Sequence, residues 1–193
     1  MRIFLTVLII IFSLQSWTKA DDISDFEIEG MSIGDSALDY FSVNEINKNI
    51  MKNVYKNNKY TQTELNNFPD FKTYYAVDIN FLTNDKKYII QSITGVIDYR
   101  KKNMKECIKK LNIIFKEVGK TFNSWNKKEI NTRKHTADKT GKSKFTSGNY
   151  SSNQGFVVVG CHDYSEETGW MDHLNVNIKT KKFNDWLRNE AYK

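Results

Sequence analysis

Tyr75-Ala76-Val77-Asp78-Ile79-Asn80-Phe81 decides how this chain is read, because Tyr75, Val77, Ile79 and Phe81 recur at every second position, the period of a strand with one buried face. After the Thr83-Asn84-Asp85-Lys86-Lys87 loop, Tyr88 to Tyr99 is a second run rich in β-branched residues, so the pair predicts a β-hairpin. The period then changes. From Lys102 to Trp125, Met104, Cys107, Ile108, Leu111, Phe115, Val118, Phe122 and Trp125 recur at threes and fours, which predicts one long helix whose apolar stripe is a core face.

Upstream, Asp25 to Gly30 reads as a short strand, and Asp35 or Ser36 caps a brief helix through Phe41. Ser42-Val43-Asn44-Glu45 has the form of a capping box, opening a helix with Ile46, Ile50 and Val54 on one stripe. Downstream, residues 126–155 are polar without a hydrophobic period, and 127–147 read as a basic flexible loop. Phe156 to Cys161 is a strand of buried type. His173 to Lys179 is another, in which Leu174, Val176 and Ile178 alternate with asparagines, and a last helix after Thr180 uses Phe183, Trp186 and Leu187. The expected order is α-β-β-α-β-β-α in a single α+β domain over 21–193. Its antiparallel sheet is built from two hairpins, with the helices packed on one face.

The start of the chain bears on its compartment. Met1-Arg2 is followed by nearly continuous apolar sequence from Ile3 to Leu14, then by Thr18-Lys19-Ala20 and Asp21-Asp22, the form of a secretory signal peptide over 1–20. The apolar run is short of the ~20 residues a bilayer span needs, so no transmembrane segment is expected after cleavage. A periplasmic or secreted location follows. Cys107 and Cys161 are the two cysteines, an even count that suits an oxidising compartment. Cys107 lies on the apolar face of the long helix and Cys161 at the end of a buried strand, which places them to form a disulfide. The alternative is two separate buried thiols, and neither has the CxxC neighbour of a zinc site.

Lysine and arginine number 29 against 23 acids, a modest excess that does not imply nucleic acid. Lys127, Lys128, Arg133, Lys134, Lys139, Lys142 and Lys144 are concentrated in the polar stretch and form a candidate site for an anionic envelope component or protein. Residues 21–45 carry eight acids and no base, and offer an internal partner for those cations. Cys161-His162-Asp163 and Asp172-His173 place two histidines beside carboxylates, weak candidates for a metal site or an acid–base pair. Asp138-Lys139-Thr140-Gly141-Lys142-Ser143 ends like a phosphate loop but lacks its first glycine. No Gly-x-Ser-x-Gly elbow or HExxH helix is present, and no cofactor is implied.

Asp25-Phe26-Glu27-Ile28-Glu29-Gly30-Met31-Ser32-Ile33-Gly34-Asp35-Ser36-Ala37-Leu38-Asp39-Tyr40-Phe41-Ser42 resembles the opening of a group of small exported proteins from AT-rich marine alphaproteobacteria. Further resemblance runs through Tyr88 to Gly95, His135 to Ser143 and Cys161 to Leu174. It implies a compartment and a fold, with no activity attached. At the level of fold, Gly30-Met31-Ser32 leading into a helix and a hairpin is similar to the BamE/SmpA small-lipoprotein group, although the lipidated cysteine and the Leu-Gly-x-Pro turn of that group are missing. The function expected is a non-catalytic binding or envelope-associated module. The alternative is a metal-dependent or acid–base enzyme using His162, Asp163, Asp172 and His173.

Overall fold

Among the described residues, seven strands, each antiparallel to its neighbours, form one sheet. The computed structural model describes residues 22–66, 68–100 and 103–193, so the signal-peptide reading of 1–20 lies outside the described residues. In chain order the elements are α1 (Val43–Lys48), β1 (Tyr60–Asn66), β2 (Ala76–Leu82), β3 (Ser92–Asp98), α2 (Met104–Thr121), β4 (Asn126–Lys134), β5 (Lys144–Ser151), β6 (Gly155–Asp163), β7 (His173–Thr180) and α3 (Lys181–Asn189). Two meanders, β1-β2-β3 and β4 to β7, meet where β3 pairs with β7, so the order across the sheet is β1-β2-β3-β7-β6-β5-β4. The helix α2 carries the chain from one meander to the other.

The α+β class and the antiparallel sheet are as expected; the element order is corrected. The stretch read as a flexible loop over 127–147 is a hairpin, β4 and β5, whose strands pair from Asn126↔Ser151 to Lys134↔Lys144. It shows no hydrophobic alternation because β4 is an edge strand exposed along nearly its whole length, with only Ile130 partly covered. The hairpin's connection is itself tied down: Asp138 accepts hydrogen bonds from the Thr140 and Ser143 backbone N–H groups at 2.8 and 2.9 Å. Strand β1 was not foreseen at all, since its residues TQTEL are polar on one face. The first helix ends at Lys48, so Ile50 and Val54 leave the stripe, and Ile50 instead bridges to Thr63 on β1. Asp25 to Gly30 is no strand: Ile28 and Met31 exchange two backbone hydrogen bonds around a tight Glu29-Gly30 turn in which both residues have positive φ.

The capping box at Ser42 is present, with Glu45 reaching back to the Ser42 N–H. The helix α2 buries Cys107, Leu111, Phe115 and Val118 against the sheet, at roughly 1.5–3 kcal/mol for each large apolar side chain. Gly148 on β5 makes this approach possible, because a Cβ there would lie 2.7 Å from the Phe115 ring. Cys107 and Cys161 are joined, Cα atoms 6.1 Å apart, closing a separation of 54 residues. The main core therefore lies between α2, the N-terminal segment and one sheet face.

The helices do not all share that face. Tyr60 and Leu82 are paired across β1 and β2 and point away from Phe81, which belongs to the main core. With Phe183 and Trp186 of α3 they form a second, smaller cluster on the opposite face. The helix α3 thus covers one end of the second face, and among the described residues no helix covers the rest. Among the described residues, no helix is long and apolar enough to cross a membrane.

Candidate functional site

The face that α2 does not cover carries mostly polar side chains, with Val96, Phe145, Phe156 and Val158 among its apolar exceptions. Strand register places Glu64, Asp78, Thr94, Asn177, Val158 and Asn149 in one row across β1, β2, β3, β7, β6 and β5. All six are half-buried. The adjacent row is Gln62, Asn80, Ser92, Lys179, Phe156 and Ser151, in which Asn80 and Ser92 are buried. The strand period explains the segregation: Leu174, Val176 and Ile178 fill the core while the intervening Asn175 and Asn177 must face the other way.

Hydrogen bonds hold the floor of this trough in place. The Asn177 amide nitrogen lies 2.8 Å from Thr94 Oγ1 and 3.0 Å from Ser92 Oγ. The Tyr55 hydroxyl donates to Asn80 Oδ1 at 2.8 Å. Two ionisable groups are shifted toward neutrality. Burial, helped by the Glu64 charge, pushes the Asp78 carboxyl up to about 7, and its Oδ1 is buried without a partner among the described residues. Burial and the nearby Arg188 charge bring Lys179 down to about 8. An acid and a base with such values on one partly shielded surface mark a candidate functional site.

At the end of the trough far from α3, the row Arg133, Phe145, His162, His173 and Asp98 crosses β4, β5, β6, β7 and β3. His162 and His173 stack, and Phe145, Tyr164, Trp170 and His135 complete an aromatic cluster. Burial, with the neighbouring His173 charge, drives His162 down to about 2, and burial also lowers His173 and His135. At all three the shift favours the neutral imidazole.

A chain of contacts runs through them. His135 Nδ1 is 3.3 Å from the Ala137 N–H nitrogen, His135 Nε2 is 3.3 Å from the Tyr164 hydroxyl, and that hydroxyl is 3.1 Å from His162 Nδ1. His162 Nε2 then meets the Asn175 Nδ2 at 3.1 Å while Asn175 Oδ1 is buried with no partner among the described residues. If Nδ2 donates there, each proton downstream is forced, and His135 Nδ1 must carry a hydrogen facing the Ala137 N–H. Turning the Asn175 amide over removes the conflict. Ala137 N–H then donates to His135, His135 Nε2–H to Tyr164, Tyr164 O–H to His162 Nδ1, and His162 Nε2–H to the formerly orphaned oxygen.

The carboxylates paired with these histidines in sequence form no hydrogen-bonded pair with them, although the Asp172 charge acts on His173 against the effect of burial. Asp163 follows His162 by one residue on a strand and so points to the α2 side, next to Lys144. Asp172 accepts the Tyr164 backbone N–H at 2.7 Å. Among the described residues no hydrogen bond links either aspartate to either histidine, and no three His, Cys, Asp or Glu side chains are grouped to hold a metal ion. The sequence also gave no notice of His135, Tyr164 or Asn175, which reach His162 only through strand pairing.

The seven cations are likewise divided. Arg133 and Lys128 pair with Phe145 and Asn149 on the trough side, whereas Lys127, Lys134 and Lys144 lie on the α2 side, and Lys139 and Lys142 sit in the hairpin connection. Lys127 pairs with Glu129 at 2.8 Å, Lys142 pairs with Glu167, and Arg133 lies 5.0 Å over the Phe145 ring. Among the described residues no ion pair joins these cations to the acids of 22–45. Comparison with family models, curated proteins and solved structures returned no match.

Proposed function

We propose that this chain is an exported, non-catalytic binding module that holds a polar ligand in the trough of its helix-free sheet face. The observation that carries the reading is the half-buried row from Glu64 to Asn149, continuous across six strands. An uncovered sheet face ordinarily meets bulk water with freely solvated charged side chains. Here amides and hydroxyls are braced against one another, the two shifted ionisable groups lie near neutrality, and the result is a fixed set of donors and acceptors. That inventory suits a hydroxyl-rich component of the cell envelope, such as a glycan, better than a lipid chain. Export is supported by the apolar run Ile3 to Leu14 and by the Cys107–Cys161 bridge. The basic edge strand offers a secondary contact for an anionic partner.

Photo-crosslinking in the native cell tests this reading. A crosslinking amino acid at position 149, in the trough, should give adducts of defined mass that one at position 110, on the exposed side of α2, does not. Adducts from 110 alone, or equally from both, would overturn it.

A further inference from the structure

At the border of the main core, the Glu29-Gly30 turn, residues 40–45 and residues 68–71 enclose a pocket of about 380 Å³. Its walls are aromatic. Phe41 meets Phe68 edge-on at 5.0 Å and Phe71 edge-on at 6.3 Å, and the Tyr40 ring lies 6.4 Å from Phe41. Its charged lining residues are Glu29, Glu45 and Asp70, with no lysine or arginine among them, in a chain whose formal net charge is +6. Ring faces carry the negative end of the aromatic quadrupole, so rings and carboxylates together favour a cation.

The kind of cation follows from the lone pairs already in use. Glu29 accepts the backbone N–H groups of Lys72, Thr73 and Tyr74 at 2.9, 2.7 and 2.8 Å. Glu45 accepts the Ser42 N–H at 2.8 Å and its hydroxyl at 2.6 Å. The Tyr40 hydroxyl is held 2.8 Å from Asp35 Oδ2. Glu29 has thus spent most of its acceptor capacity and feels the Lys72 charge, and Glu45 is engaged through Oε2, so among the described residues the pocket's carboxylate oxygens left without a hydrogen bond are Glu45 Oε1 and those of Asp70. A primary ammonium carries three donors, and the acceptors left for it belong to the exposed Glu45 and Asp70. A quaternary ammonium donates nothing and is satisfied by charge and ring faces alone.

We infer that this pocket binds a quaternary ammonium group, of the kind borne by free trimethylammonium compounds and by choline lipid headgroups. The pocket is separate from the trough, so this inference stands or falls independently of the binding reading given above.

The test is a titration of the full chain with choline, with its uncharged isostere in which a tert-butyl group replaces the trimethylammonium, and with butylammonium. The methyl resonance of Met31, a buried pocket-lining residue, reports occupancy. Choline should give a saturable shift and bind about tenfold more tightly than the isostere, within the range of a shielded cation–π contact. Phe68→Leu keeps apolar volume but removes a ring, and should weaken choline by a similar factor. Co-sedimentation with phosphatidylcholine but not phosphatidylglycerol vesicles would assign the lipid source; choline binding without vesicle binding would assign a free compound. Equal affinity for choline and the isostere, tighter binding of butylammonium, or no Met31 response to choline in either form would overturn the inference. The choline and isostere comparison uses the unmodified chain, so it decides the matter even if Phe68→Leu does not fold.

Discussion

His162 and His173 lie face to face, ring centroids 4.3 Å apart and planes 18° from parallel. They occupy paired positions on β6 and β7, so the stack is a cross-strand contact between two neutral rings. Protonating either one places a charge in a partly closed site beside a second imidazole.

The pH dependence of stability follows from that contact. Burial first, and the His173 charge second, bring the His162 value from 6.5 in the unfolded chain to about 2 in the fold. A lowered histidine value means the unfolded chain binds the proton more tightly. The stabilising contribution is therefore complete above 6.5 and declines as the pH falls below it. His162→Phe preserves the stack and removes the titration. Between pH ~7 and ~4 the parent should lose about 2–3 kcal/mol more stability than the variant, measured by urea unfolding at each pH. Parallel pH profiles would refute the assignment.

Asp78 behaves with the opposite sign. Burial and Glu64 raise its carboxyl from 3.8 to about 7, so the folded chain holds the proton more tightly than the unfolded one. Stability from this group is greatest below 3.8 and is lost as the pH climbs toward 7. Asp78→Asn should stabilise the fold by about 1–2 kcal/mol at pH ~8 and by little at pH ~4, the figure being reduced because the residue is partly exposed. A destabilised variant at the higher pH would show that the ionised carboxylate has a partner after all.

How much of this was legible in the sequence varies by element. The hairpin of β2 and β3, the stripe of α2 and the meeting of Cys107 with Cys161 were readable because apolar side chains recur at the period of one element. Strand β4 was not, because an edge strand buries almost nothing and its lysines read as loop. The trough was half visible: the asparagines alternating through β7 announce a polar face, but only register shows that Asp78, Thr94 and Asn177 are neighbours across three strands. His162 with Asp163 looked like a pair in sequence and is divided by the strand's alternation, while His135 comes to the cluster from 27 positions before His162 by hairpin pairing.

The Cys107–Cys161 bridge ties the first turn of α2 to the end of β6. Closing a loop of 54 residues should stabilise the fold by about 4 kcal/mol through the entropy of the unfolded chain. The Cys107→Ser, Cys161→Ser double variant should therefore unfold at markedly lower urea with an otherwise similar spectrum. Labelling of two thiols in the denatured, non-reduced parent would contradict the bridge itself.

Gly148→Ala tests the seating of α2. The added methyl would sit 2.7 Å from the Phe115 ring, closer than real contacts allow, and 3.0 Å from Ile130, which is tight. Phe115 is itself buried, so the ring cannot swing into solvent cheaply. A loss of about 1–3 kcal/mol is expected from overpacking, read by chemical denaturation. Phe115→Leu in the same chain should recover part of it. An unchanged midpoint for the single variant would place the helix farther from the sheet than described.

The last prediction concerns the exposed edge. Among the described residues strand β4 ends the sheet, with one row of backbone groups unpaired by any further strand, and it carries Lys127, Lys128, Arg133 and Lys134 along nine residues. Lysines on an edge strand oppose pairing with a second chain, since two such edges brought together would set like charges side by side. The register of β4 also shifts between Lys128 and Asn131, which bends the edge out of a regular ladder. Replacing Lys128 and Lys134, both exposed, with valine raises strand propensity while removing that repulsion. The double variant should keep the parent's unfolding midpoint within about 0.5 kcal/mol, as surface changes usually do, yet self-associate with concentration in sedimentation velocity. Raising salt should move the parent in the same direction by screening the lysines. A variant that stays monomeric at every concentration would show that the bend alone guards the edge, and would free these lysines for contact with an anionic partner.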